Sequence, residues 1–176
     1  MQNGTYIIDG RLAHGFKTKF CDHGADTFVR KQFLNDGTVN MAADQFLHAK
    51  LPERFSQILR RYNLPARQFE LEITETTLIS NFTDTLAMMH RLKAQGFRFA
   101  IDDFGAGYSS LNYLKRMPVD VIKIDKSFVF GMLDNQADFD IITSTIAMVR
   151  KLGLEVVAEG VETQAQAKTL QQHACD

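Results

Sequence analysis

Five short apolar runs, each carrying acids or closely followed by them, constrain this chain more than any other feature. They fall at 38–42, 69–75, 98–104, 120–125 and 155–160, and stretches of helical period separate them. That alternation is the βα rhythm of a mostly parallel sheet covered by helices. The separating stretches predict helices over about 53–62, 82–95, 109–117, 137–152 and 164–173. Gly96 and Gly153 stand where a left-handed residue would end a helix, and Pro118 cannot continue one. In the longest helix Ile141, Ile142, Thr145, Ile146, Val149 and Leu152 form the expected apolar stripe.

A chain of 176 residues, 45% apolar, can bury one core. No repeat or linker interrupts 39–176, so that stretch is read as one α/β domain. Residues 1–38 hold five of the eleven glycines and little periodicity, and are expected to be an irregular segment or one weak hairpin. Lys plus Arg number 20 against 21 for Asp plus Glu, a balance that offers no net field for DNA, RNA or an acidic membrane. No apolar run approaches the roughly 20 residues of a membrane span, and 1–10 lack the order of a signal peptide. A cytoplasmic location is therefore expected. Cys21 and Cys175 are too few for a disulfide framework.

The acids repeat one placement. Phe-Glu-Leu-Glu-Ile-Thr-Glu (69–75), Phe-Ala-Ile-Asp-Asp-Phe-Gly (99–105), Val-Ile-Lys-Ile-Asp (121–125) and Val-Val-Ala-Glu-Gly-Val-Glu (156–162) set charge within or just after an apolar strand. Buried charge is costly unless it is paired or binds metal. The carboxyl ends of parallel strands are also where α/β folds assemble sites. Glu72, Asp102, Asp103 and Glu159 would converge there, with Asn40 and Lys123. Four carboxylates against one lysine call for cations, and hard oxygen donors suit Mg²⁺ or Mn²⁺. Any one of these acids, taken singly, is as well explained as an exposed loop residue or a helix cap. Gly105, Gly107, Tyr108 and Ser109 lie in a glycine-rich turn entering a helix. Such a turn can cradle phosphate with backbone N–H groups, or simply connect strand to helix behind an N-cap serine.

In order and spacing, Glu70-Leu-Glu-Ile-Thr-Glu75, Asp102-Asp-Phe-Gly-Ala-Gly-Tyr-Ser-Ser110, Val121-Ile-Lys-Ile-Asp125 and Ala158-Glu-Gly-Val-Glu-Thr163 resemble the signatures of the EAL-domain family, the cyclic di-GMP phosphodiesterases. The resemblance covers roughly 39–176. It implies a TIM-type (β/α) barrel and hydrolysis of cyclic di-GMP to the linear dinucleotide with two Mg²⁺ or Mn²⁺ ions. Carried over by motif, Asn40, Glu72, Asp102, Asp103 and Glu159 resemble the metal set. Lys123 resembles the lysine that orients or deprotonates the attacking water. Glu75 resembles the glutamate that steadies the loop of Gly105 to Tyr108.

Two departures stand beside that resemblance. Nothing in 1–38 resembles the strand with the Glu-Ala-Leu glutamate, since the only acids there are Asp9, Asp22, Asp26 and Asp36; Asp22-His23 is a poor substitute. Cys175-Asp176 resembles the point just before the family's Gln-Gly-Tyr strand. The expectation is a domain truncated at both ends: an incomplete barrel of about five parallel strands plus an irregular N-terminal segment. Open strand edges need cover, from 1–38 or from a second subunit in a dimer. Three functions follow: a phosphodiesterase impaired or silenced by truncation, a non-catalytic cyclic di-GMP-binding or protein-interaction module, or a structural oligomer of a partial barrel.

Overall fold

The computed structural model of the protein describes residues 3–8, 11–16, 37–105 and 111–176. Gly107, Tyr108 and Ser109, and the Asp22-His23 pair, lie outside the described residues.

Five parallel strands form one sheet in chain order: β3 (Gly37–Asn40), β4 (Phe69–Thr74), β5 (Arg98–Phe104), β6 (Val121–Ile124) and β7 (Glu155–Ala158). All five were legible as apolar runs. The first two strands, β1 (Asn3–Ile8) and β2 (Arg11–Phe16), make a separate antiparallel hairpin, with β1 lying beside β7. Within the segment 1–38, for which an irregular run or one weak hairpin was expected, this hairpin and the start of β3 are what the described residues cover.

Seven of the α-helices, some very short, connect and cover the parallel strands: α1 (Ala43–Phe46), α2 (Leu51–Tyr62), α3 (Glu75–Ser80), α4 (Phe82–Lys93), α5 (Leu111–Leu114), α6 (Lys126–Gly131) and α7 (Gln136–Lys151); α8 (Gln164–Gln172) follows β7. Their ends follow local chemistry. Pro52 sits in the first turn of α2, and Asn63 ends that helix with φ 52°. The Asn135 side chain accepts the Ala137 N–H at 2.9 Å to start α7, and Gly153 follows its end with φ 76°. No described helix is long and apolar enough to cross a membrane.

The period-two alternation of the strands gives the sheet two unlike faces. Val39, Leu71, Ile73, Phe99, Ile101, Ile122, Ile124, Val156 and Ala158 pack under the helices in the main core. Removing each larger side chain from water contributes about 1.5–3 kcal/mol. From α7 Ile142, Ile146 and Val149 are buried in that core and Met148 packs against it; Ile141 and Leu152, expected on the same stripe, are 44% and 39% exposed. The stripe in contact with the sheet is narrower than the sequence suggested.

The opposite face is layered. Ala100, Val121 and Val157 form a small apolar middle. Arg98, Glu70 and Glu155 lie below it, toward the strand starts, with Arg98 Nη2 2.6 Å from Glu155 Oε2 and Nε 3.9 Å from Glu70 Oε2. Glu72, Asp102, Lys123 and Glu159 lie above, toward the strand ends. This layering is that of a barrel interior, and the sheet is a partial TIM-type barrel.

The strand starts are clasped twice in the same way. Asp120 accepts the Phe99 N–H at 2.8 Å and pairs with Lys93 from the end of α4. Asp176 accepts the Val156 N–H at 3.0 Å and takes both oxygens to Arg150 Nη1, at 2.7 Å, from the end of α7. Each clasp fixes a strand relative to the helix that precedes it, and so fixes the height at which its site residues emerge.

Candidate metal and phosphodiester site

The site is built on β4, β5, β6 and β7 around one lysine. Lys123 is 3% exposed, yet it is charged and central. Its Nζ lies 2.5 Å from Glu72 Oε1, 2.8 Å from Glu159 Oε1 and 3.6 Å from Asp102 Oδ1. Glu72 and Asp102 are themselves buried. An ammonium has three donors and no acceptor, so a shell of carboxylates is the environment that offsets its loss of water.

Asp102 and Asp103 are consecutive, and on a regular strand they would point to opposite faces. The register of β5 against β6 shifts between Ile101 and Phe104, and Asp103 has φ 54°. A bulge of this kind re-aims a side chain. Consequently Asp102, Asp103 and Glu159 each present a carboxylate oxygen within 4.8 Å of one another. The Asp103 N–H donates to Asp102 Oδ1 at 3.1 Å.

Asn40 pairs in register with Glu72, on the adjacent strand and the same face. Its buried Nδ2 has no hydrogen-bond partner among the described residues. Glu75 was expected as the last residue of its strand. It is instead the first residue of α3, because the Thr74 side chain caps that helix by accepting the Thr77 N–H at 3.4 Å. Glu75 Oε2 accepts a long hydrogen bond, 3.4 Å, from the Gly105 N–H, while its buried Oε1 is unpartnered among the described residues.

The donor set fits a hard divalent cation. Three carboxylate oxygens converge, and Glu72 adds a fourth carboxylate through the lysine that also meets Asp102 and Glu159. One acid outside the expected set is also perturbed: burial, then the nearby Glu72 charge, push Glu70 from its ordinary 4.5 up to about 7, against the pull of Arg98. Its place in a Glu-x-Glu strand was the sequence signal for it.

Residues 19–176 match the family model described as the EAL domain. The cyclic di-GMP phosphodiesterase NbdA of Pseudomonas aeruginosa is 42% identical over 138 residues, covering 78% of this chain; the match spans only 18% of that relative's length. Among solved structures, the MucR phosphodiesterase in complex with c-di-GMP superposes with a TM-score of 0.76 at 40% identity, covering 80% of this chain and 57% of the other. A manganese and cyclic di-GMP complex of Klebsiella pneumoniae BlrP1 superposes over 99% of this chain and 52% of the other with a TM-score of 0.80; at 24% identity it speaks for the fold alone.

Proposed function

The chain belongs to the EAL domain family, and from that premise we propose that its carboxylate face binds cyclic di-GMP with divalent cations and cleaves one phosphodiester bond. The observation that carries this reading is the convergence of Asp102, Asp103 and Glu159 beside Lys123. Bound Mg²⁺ or Mn²⁺, two ions by family resemblance, would supply charge neutralisation and Lewis-acid activation of a phosphodiester and a water.

The chain's own residues have separable tasks. Asp102, Asp103, Glu72, Glu159 and Asn40 would hold the cations. Lys123, seated among Glu72, Asp102 and Glu159, would first give up its own proton to solvent once cations take over those carboxylates, and the neutral amine would then orient the attacking water and accept its proton. Glu75 would brace the Gly105 turn through its backbone N–H. The turn residues Gly105, Gly107, Tyr108 and Ser109 would approach the substrate phosphates.

A second reading is a module that binds cyclic di-GMP without hydrolysing it. No glutamate precedes Glu53 among these residues, so the set named above holds no counterpart of the Glu-Ala-Leu ligand, and a set short of one ligand favours binding over turnover. Incubation with cyclic di-GMP and Mn²⁺ followed by chromatography separates the two. Linear dinucleotide formed by the parent and lost in Lys123→Ala supports catalysis. Binding seen by calorimetry in Ca²⁺, with no product in Mn²⁺, supports the module. The sheet ends at β3 and β7 among the described residues, and a second copy covering those edges would appear as a dimer in light scattering.

A further inference from the structure

We propose that Gln166, one short loop beyond Glu159 and in no ligand set, is a positioning residue that holds Glu159 in register with Lys123. The inference rests on the metal-site reading given above.

Gln166 is buried in the first turn of α8, and each end of its amide is used. Its Oε1 accepts the backbone N–H groups of Glu162 at 3.0 Å and Thr163 at 2.9 Å. Its Nε2 donates to the carbonyl of Val129 in α6 at 3.0 Å. The first pair completes a capping box with Thr163, whose hydroxyl accepts the Gln166 N–H at 3.2 Å. The bond to Val129 is not part of any cap. It ties the segment that leaves β7 to the helix that leaves β6.

Those two segments carry the site. Glu159 directly follows β7, and Lys123 lies in β6, two residues before Asp125 caps α6. Between Glu159 and the amide tether the chain passes through Gly160 at φ 72°, where an added Cβ would lie 2.6 Å from the Lys126 Cβ. The loop therefore lies flush on the start of α6. Gln166 is the side chain that closes this contact from the far side, and the Glu159 to Lys123 separation of 2.8 Å depends on that closure.

A helix cap and a positioning tether differ in one variant. Gln166→Glu keeps the acceptor, and with it the capping box, but faces a carboxylate oxygen to the Val129 carbonyl in place of an N–H. Gln166→Met removes both. Ile142→Val, in the α7 core and away from the site, serves as a stability control. Each protein is titrated with Mn²⁺ alone by calorimetry, with its melting temperature recorded. Outer-shell partners of metal ligands commonly alter affinity 10- to 100-fold, so both Gln166 variants should bind Mn²⁺ at least ~10-fold more weakly. Ile142→Val should bind as the parent does, even with a lowered melting temperature. Parental affinity in Gln166→Glu reduces Gln166 to a cap and overturns the proposal, and this variant carries the test if Gln166→Met does not fold. A parent chain that binds no Mn²⁺ overturns the metal-site reading itself and this inference with it, whereas parental affinity in the variants overturns this inference alone.

Discussion

Lys123 on β6 reaches past β5 to set its Nζ 2.5 Å from Glu72 on β4, joining two strands that share no hydrogen bonds. On the way it passes within 3.6 Å of Asp102, and it also meets Glu159 on β7 at 2.8 Å. One positive charge thus serves carboxylates from three strands. Without a cation in place, it is what keeps those carboxylates from repelling one another.

Replacing Lys123 by Met should therefore destabilise the metal-free chain. Removing one partner of a buried ion pair costs about 3–5 kcal/mol, because the remaining charge is left buried and uncompensated. Urea denaturation in EDTA should show that loss, and saturating Mn²⁺ should restore more stability to the variant than to the parent. Equal stability of variant and parent in EDTA would mean that the carboxylates do not need the lysine.

Asp103 separates backbone from ligand effects. With φ at 54° it occupies a left-handed conformation that most side chains resist and Asn and Gly accept. Asp103→Asn should fold with parental stability while losing Mn²⁺ affinity measured by calorimetry. Asp103→Val should lose that affinity and about 1–2 kcal/mol of folding free energy as well.

These two cases show what could be read from the sequence. The strand-end pattern located Glu72, Asp102, Asp103, Lys123 and Glu159 because burial and charge leave a linear signature. The bulge that turns Asp102 and Asp103 to one site left none, since it is a property of two strands in register. The two-turn helices α3 and α6 escaped for a related reason. At six residues each they are too short to show a period, and start on the caps of Thr74 and Asp125. Gln166 was written in the Thr-x-x-Gln of a capping box, but its bond to Val129, 37 residues earlier, belongs to the tertiary fold.

Glu70 gives the chain a pH dependence of definite sign. Its folded pKa of about 7 lies above the ordinary 4.5, so the folded chain holds this proton where the unfolded chain has released it. Its contribution to stability falls as pH rises from about 4.5 to about 7 and is level above. Glu70→Gln should remove that slope. The difference between variant and parent should grow by ~3 kcal/mol across the interval and favour the variant above it, at 1.36 kcal/mol per unit. Chemical denaturation of both proteins at pH 4.5, 6 and 8 reads it directly, and parallel curves would show that Glu70 titrates normally.

The Gly105 turn tests whether the backbone after β5 must keep its present path. Gly105 has φ 96°, and a Cβ there would lie 2.9 Å from the Phe128 ring on α6. Gly105→Ala therefore meets both an unfavourable dihedral and a ring, and should cost about 1–3 kcal/mol by thermal or chemical denaturation. Its N–H also donates the long bond to Glu75, so the same substitution should loosen the contact that braces the turn. Glu75→Gln retains an acceptor and should leave stability within about 0.5 kcal/mol. If cyclic di-GMP hydrolysis or binding falls in Gly105→Ala and holds in Glu75→Gln, the path of the backbone matters more than the carboxylate beneath it. The reverse pattern would assign the work to the Glu75 charge.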